Sequence, residues 1–335
     1  MPSQKLGGQD NDGPLRCRVT SHQRCYHRHQ DMSESTLNNG PKDLQQRREY
    51  WIEQMEEAWD FMLRSIEAPL QESLEPALDL TATIPPSLEV TYALDHPMSG
   101  DRPLFFMRSS LVPPLMRVTE KLRNLSLGLR IEYAYRTPET QAQLCTSDEV
   151  LSRVIERVKW EADGSALPPE LAYRRLIVLC ANVYKFATHI AAAAVDVTVI
   201  DLETGEALDR GGPFLELSER TPMASPFISA LGRRNRTLIR GIFAEEGFRA
   251  YPYEFWHFCA GDVYESVLTG YSHEARFGPV ALDPATGRVT AIGDPTSDIV
   301  PREAMVQRLA AALARIDQAQ PSPPVAKRDR RRATR

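Results

Sequence analysis

Helical and strand-like patterns are interspersed along residues 43–318 without the regular strand–helix–strand alternation that a parallel sheet needs. That irregular order points to an α+β fold, a small antiparallel sheet flanked by helices. Two runs read as strands: 129–135 (LRIEYAY), which alternates in polarity, and 195–200, which is β-branched. Leu44, Trp51, Met55, Trp59, Met62, Leu63 and Ile66 recur at helical spacing, giving one apolar face that runs until Pro69. Further helices are expected over 110–125, with Pro113 and Pro114 in the first turn, and after Thr137-Pro138. Others are expected over 147–160, 169–186, 228–246 with Gly247 as the stop signal, and 302–318. Residues 80–103 read as a loop rich in Pro and Asp, and 248–260 as an aromatic, extended segment.

The chain of 335 residues is long enough to bury a sizeable core in one or two domains. No apolar run approaches the length of a membrane span, and residues 1–30 lack the apolar core of a secretion signal. A cytoplasmic setting is the expectation that follows, and five scattered cysteines fit a reducing compartment. Net charge is −5. The tail from Lys327 holds six basic residues and one acid, and residues 1–31 hold five basic residues and three acids, which leaves 32–326 at −12. A body this acidic repels phosphate backbones, so no nucleic-acid partner is expected. Residues 1–42 are polar and aperiodic and read as disordered, as does the basic tail 321–335 after Pro-Ser-Pro-Pro. Cys17, Cys25, His27 and His29 have no spacing that suits a compact metal knuckle. Met32 is an alternative start. The sequence carries no sign of an oligomeric state.

Two of the seven histidines keep unusual company. Asp196 follows His189 by seven residues at a strand start, and Glu254 precedes His257 by three in an aromatic run. Two imidazoles and a carboxylate make a common catalytic zinc set, and a further carboxylate beside it can act as general base. His189, Asp196 and His257 are then candidate ligands, with Glu254 as the base. The other reading is a histidine satisfied in an apolar core. Each pair is separated by an odd number, so in a flat strand its members would face opposite ways, and the metal reading needs a turn inside each pair.

At these residues the chain resembles the D-alanyl-D-alanine dipeptidases, zinc D,D-dipeptidases grouped with the D,D-carboxypeptidases. The family pattern S-x-H-x-x-G-x-A-x-D is met by His189, Ala194 and Asp196, and its E-W/F-W-H segment by Glu254, Phe255, Trp256 and His257. Tyr135-Arg136-Thr137-Pro138 with Gln141 is similar to its G-Y-R-P segment. The run from Asp209 to Phe214 is similar to its D-x-G-x-x-F loop. Asn235-Arg236, Gly247-Phe248, Gly261-Asp262, Leu268-Thr269-Gly270 and the run from Phe277 to Val280 continue the match in order, over about half of the chain.

The resemblance implies one Zn2+ per chain held by His189, Asp196 and His257. It implies Glu254 as general acid/base, Arg136 steadying the oxyanion, and Asp209 facing the substrate's ammonium group. It also implies a catalytic domain over 104–320, preceded by a helical extension and loop over 43–103, with the sheet holding the zinc site. The expected activity is hydrolysis of a small peptide, D-Ala-D-Ala first. The alternatives are a D,D-carboxypeptidase or another small cell-wall peptide peptidase using the same site, and a non-catalytic binding protein on this fold. A pure binder has no need of Glu254. Three positions depart from the pattern: Ala187 stands for Ser, Ala192 for Gly, and Tyr133 where the dipeptidases often carry an Asp, with Glu132 beside it as the candidate substitute.

Overall fold

Alternation along one strand decides how the sheet is buried. Val195, Val197 and Val199 point into an apolar layer while Asp196 and Thr198 point the other way, as a period of two requires. The chain is described here by a computed structural model covering residues 41–94, 103–163 and 168–319. The basic tail, the Cys17–His29 group and His96 lie outside the described residues. Contacts divide the chain into residues 1–44 and 45–335. Of the first unit only residues 41–44 are described, as the opening of a helix; the second holds the sheet and everything that follows.

Besides short 3-10 turns, the described elements in chain order are α1 (Pro41–Glu67), β1 (Ala77–Asp79), α2 (Leu80–Thr83), β2 (Val90–Tyr92), β3 (Phe106–Arg108) and α3 (Val112–Arg123). Next come β4 (Leu127–Tyr133), α4 (Pro138–Thr146), α5 (Asp148–Ala162), α6 (Pro169–Cys180), β5 (Ala194–Asp201) and α7 (Ala230–Glu245). The chain then runs through β6 (Arg249–Ala250), β7 (His257–Cys259), α8 (Val263–Leu268), β8 (Val280–Leu282), β9 (Val289–Ala291) and α9 (Arg302–Ala319). The fold is α+β. Its main sheet has the order β2-β4-β5-β7-β6, antiparallel throughout except for the parallel pair β2–β4. Strand β2 falls inside the stretch expected to be loop; three residues are too few for alternation to register.

One face of the sheet packs on α3 and α7, where Leu115, Val118, Leu122, Ile239 and Phe243 meet the strand valines. Phe243 stacks on Phe258 at 3.9 Å between centroids. A second core joins α1, α5, α6 and α9 through Trp51, Met55, Phe61, Val154, Leu176 and Met305. Arg175 ties these helices together, with Nε donating to Glu161 at 2.9 Å and an Nη to Glu56 at 2.8 Å. Thr137 and Ser147 cap α4 and α5 with their hydroxyls, and Gly247, at φ 88°, follows α7 as expected. The helix expected to run to residue 186 stops at Cys180, because Ala181 adopts a left-handed φ of 49°.

The turn before β5 carries the fold's main conformational constraint on the site. Ala192 has φ 53°, the left-handed region that the family's Gly suits, and its methyl is fully buried. The buried Arg108 holds this turn: its backbone N–H donates to the Ala192 carbonyl at 2.9 Å and its Nε to that of Ala191 at 2.7 Å. A β-branched side chain there meets both strain and a filled space, so Ala192→Val should lower the unfolding free energy by about 2–4 kcal/mol. Ala192→Gly should change it by less than about 1 kcal/mol, since relief of left-handed strain offsets the lost buried methyl. Urea denaturation of both variants checks this; equal small losses would mean that the turn is not constrained.

Candidate metal centre

Sheet register places the candidate residues side by side. On β5, Asp196 is opposite His257 of β7 and Tyr133 of β4. His189 reaches the same point from the turn at 188–192, which the chain makes before entering β5. Both odd spacings are thereby resolved. A turn separates His189 from Asp196, and Glu254 sits in the turn that precedes β7.

The three side chains converge. His257 Nδ1 lies 2.9 Å from Asp196 Oδ1, His189 Nε2 lies 3.2 Å from Asp196 Oδ2, and the two rings meet edge to face at 4.9 Å. One ligand atom from each residue lies within 4.8 Å of the others, and all three side chains are buried. This group could hold a metal ion.

The outer hydrogen bonds fit that use. The Ala134 carbonyl accepts from His189 Nδ1 at 2.7 Å, which leaves Nε2 as the lone-pair nitrogen. That nitrogen is buried without a hydrogen-bond partner and faces a carboxylate, an arrangement a cation between them would relieve. Thr188 Oγ1 lies 3.1 Å from His257 Nε2, so Nδ1 is the nitrogen turned toward Asp196. Electrostatics point the same way. Burial pushes His189 down to about 4, so its imidazole is neutral near pH 7. Burial disfavours the Asp196 carboxylate, yet His189 and His257 hold it below the usual carboxylate range. His257 is also penalised by burial, but its hydrogen bond to Asp196 raises it.

A cleft of roughly 760 Å3, including its open mouth, contains the trio together with Glu254 and Arg136. Burial, then the charge of Asp196, pushes the half-buried Glu254 carboxyl up to about 7. Arg136 donates to Asp196 Oδ2 at 3.0 Å and to Gln141 Oε1 at 3.3 Å, and its guanidinium lies 4.0 Å from the centre of the Tyr133 ring. Its Nε is buried with no hydrogen-bond partner. Tyr133 thus serves as a platform for Arg136 where the family often has an acid.

Two expected contributors lie elsewhere. Asp209 is exposed and absent from the residues that line the cleft. Its Oδ1 accepts from the Gly211 N–H and its Oδ2 from the Ser229 hydroxyl, both at 2.8 Å. Glu132 occupies the irregularity between Ile131 and Tyr133 in β4, with its carboxylate 3.5 Å from Arg130. Cys145, Cys180 and Cys259 are buried free thiols outside the trio, and His273 is exposed, 3.7 Å from Glu265. Trp256, between Glu254 and His257, is buried and lines the cleft.

The family model of the D-ala-D-ala dipeptidases matches residues 172–314. The resemblance read from the motifs is therefore found independently over this stretch, which includes the trio and Glu254 but not Arg136. The D-alanyl-D-alanine dipeptidase of Enterococcus faecium is 36% identical over 76 residues, 23% of this chain and 38% of the relative. Those of Enterococcus faecalis and Escherichia coli are 31% and 36% identical over 72 residues each, 22% of this chain and 36% and 37% of the relatives. The matched stretch thus spans well under half the length of these relatives. No helix among the described residues is long and apolar enough to cross a membrane.

Two buried arginines, Arg210 in the run from Asp209 to Phe214 and Arg236 in the Asn235-Arg236 pair, hold the Glu254–His257 segment, a use their motifs do not announce. Arg210 donates to the Val197 carbonyl at 2.7 Å and the Phe255 carbonyl at 3.4 Å, so it links the neighbour of Asp196 to the neighbour of Glu254. The guanidiniums of Arg210 and Arg236 lie 4.9 and 4.1 Å from the Phe255 ring centre. Burial pushes them down, to about 9 and about 10, and neighbouring carbonyls satisfy their donors in place of a carboxylate. Removing such donors leaves buried carbonyls unpaired. Arg210→Ala should therefore cost about 1–3 kcal/mol of stability in denaturant titration; a loss below about 0.5 kcal/mol would show that water replaces it freely.

Proposed function

We propose that the chain is a zinc-dependent peptidase acting on a small peptide, with D-Ala-D-Ala the first substrate to try because the matching relatives are dipeptidases for it. One observation carries the reading. A buried imidazole nitrogen without a hydrogen-bond partner, a carboxylate and a second imidazole converge in a cleft that also holds the Glu254 carboxyl group, outside the trio, and an arginine. His189 through Nε2, His257 through Nδ1 and Asp196 through its carboxylate are the proposed ligands, one ion per chain. Zinc in such a set supplies Lewis acidity that polarises a peptide carbonyl and activates a water.

The chain's own residues do the rest. The Glu254 carboxylate takes a proton from the attacking water and delivers it to the amine nitrogen as the C–N bond breaks; with a raised pKa it suits both directions of transfer near neutrality. The Arg136 guanidinium, which lines the cleft, donates to the oxygen on which negative charge develops, and its pairing with Asp196 fixes where it points. Ala134 and Thr188 hold the imidazoles in the tautomers that turn lone pairs inward. A second reading is favoured by the position of Asp209. With that carboxylate engaged outside the cleft, the site also suits release of a terminal residue from a longer or N-blocked peptide, as a carboxypeptidase does.

His189→Ala and His257→Ala should each lose most of the bound zinc, measured by elemental analysis after dialysis; stoichiometric zinc in both variants would exclude the ligand set. Glu254→Ala should keep zinc and lose about 10²–10⁴-fold in kcat on the dipeptide. Near-normal turnover would make Glu254 structural. Arg136→Lys should fail to restore the kcat lost in Arg136→Ala, because a point charge lacks the planar fork of donors. An effect on KM alone would place Arg136 in substrate binding instead.

A further inference from the structure

The charges that line the cleft are few, and all but one are committed. Among the described lining residues the carboxylates are Asp196 and Glu254, both assigned to the reaction above. Arg136 is held by Asp196 and Gln141. The remaining charge is Arg153, exposed at the cleft and with no hydrogen bond or ion pair to any described residue. It lies on α5, whose Leu151, Val154, Ile155 and Val158 are buried in the helical core, so the helix itself is firmly placed. Val150 and Arg153, one turn apart, are the two α5 residues that reach the cleft. Leu144 of α4, Leu179 of α6 and Leu215 add apolar wall.

We propose that Arg153 is a specificity-determining residue that receives the free carboxylate of the substrate peptide. A peptide bearing a free C-terminus brings an anion into a cleft whose one uncommitted charge among the described residues is a guanidinium. Carboxylate and guanidinium match as two parallel N–H···O bonds. The apolar walls reduce local screening and strengthen the pair, while the exposure of Arg153 keeps the gain moderate. Binding of this end is common to the dipeptidase and carboxypeptidase readings, since both substrates terminate in a carboxylate. The inference rests on the peptidase reading for its substrate but not for its ion pair.

The test compares D-Ala-D-Ala with its C-terminal amide on the zinc-loaded full chain, for wild type, Arg153→Ala and Arg153→Lys. Arg153→Ala should raise KM for the acid about tenfold with kcat within twofold, leave the amide within twofold, and be partly rescued by Arg153→Lys. Equal losses on acid and amide, or no change on either, would overturn the assignment. If wild type hydrolyses neither peptide, the peptidase reading on this substrate fails, and calorimetric binding of N-acetyl-D-Ala-D-Ala and its amide to the same three proteins decides the ion pair alone. Wild type should then prefer the acid about tenfold and Arg153→Ala should not. Absence of that preference in wild type would refute the proposal.

Discussion

The buried carboxylate of Asp196 is the point on which the site's arrangement depends. It stands within 2.9–3.2 Å of two imidazoles and a guanidinium. A charge taken out of water this completely is tolerable only when its partners are fixed. The fold fixes them by different means: strand register for His257, the left-handed turn at Ala192 for His189, and the segment leading into α4 for Arg136. The sheet's apolar face against α3 and α7 makes that register firm, since a slip of one residue would bury Asp196 among valines.

Part of this was legible in the sequence because the chemistry is concentrated in short motifs. His189, Asp196, Glu254 and His257 are found together in one cleft, and the turns required by their odd spacings are present. Arg136 also lines that cleft. The main helices follow from apolar periodicity and caps, with α6 shortened by the left-handed Ala181. Strand β2 and the short pairs β1–β3 and β8–β9 were not legible, because three-residue strands are defined by their partners and not by their own pattern.

Long-range polar contacts were the least legible. Asp209 fits a family loop, yet its carboxylate closes a local turn and meets Ser229, a use that motif spacing does not distinguish from substrate binding. The roles of the Ala134 carbonyl and Thr188 in orienting imidazoles emerge only once the chain is folded. Arg210 is a variable position of its loop motif and Arg153 carries no motif; one is recognisable by the carbonyls it bridges, the other by having no partner among the described residues.

The central claim is that His189, Asp196 and His257 form a zinc site with nitrogen and oxygen donors only. X-ray absorption at the zinc edge of the purified chain tests it most directly. The expected result is a first shell of nitrogen and oxygen at about 2.0–2.2 Å, with the outer-shell scattering of two imidazoles and no sulfur. A sulfur shell at about 2.3 Å, which would draw in a cysteine, or the scattering of fewer than two imidazoles would contradict it.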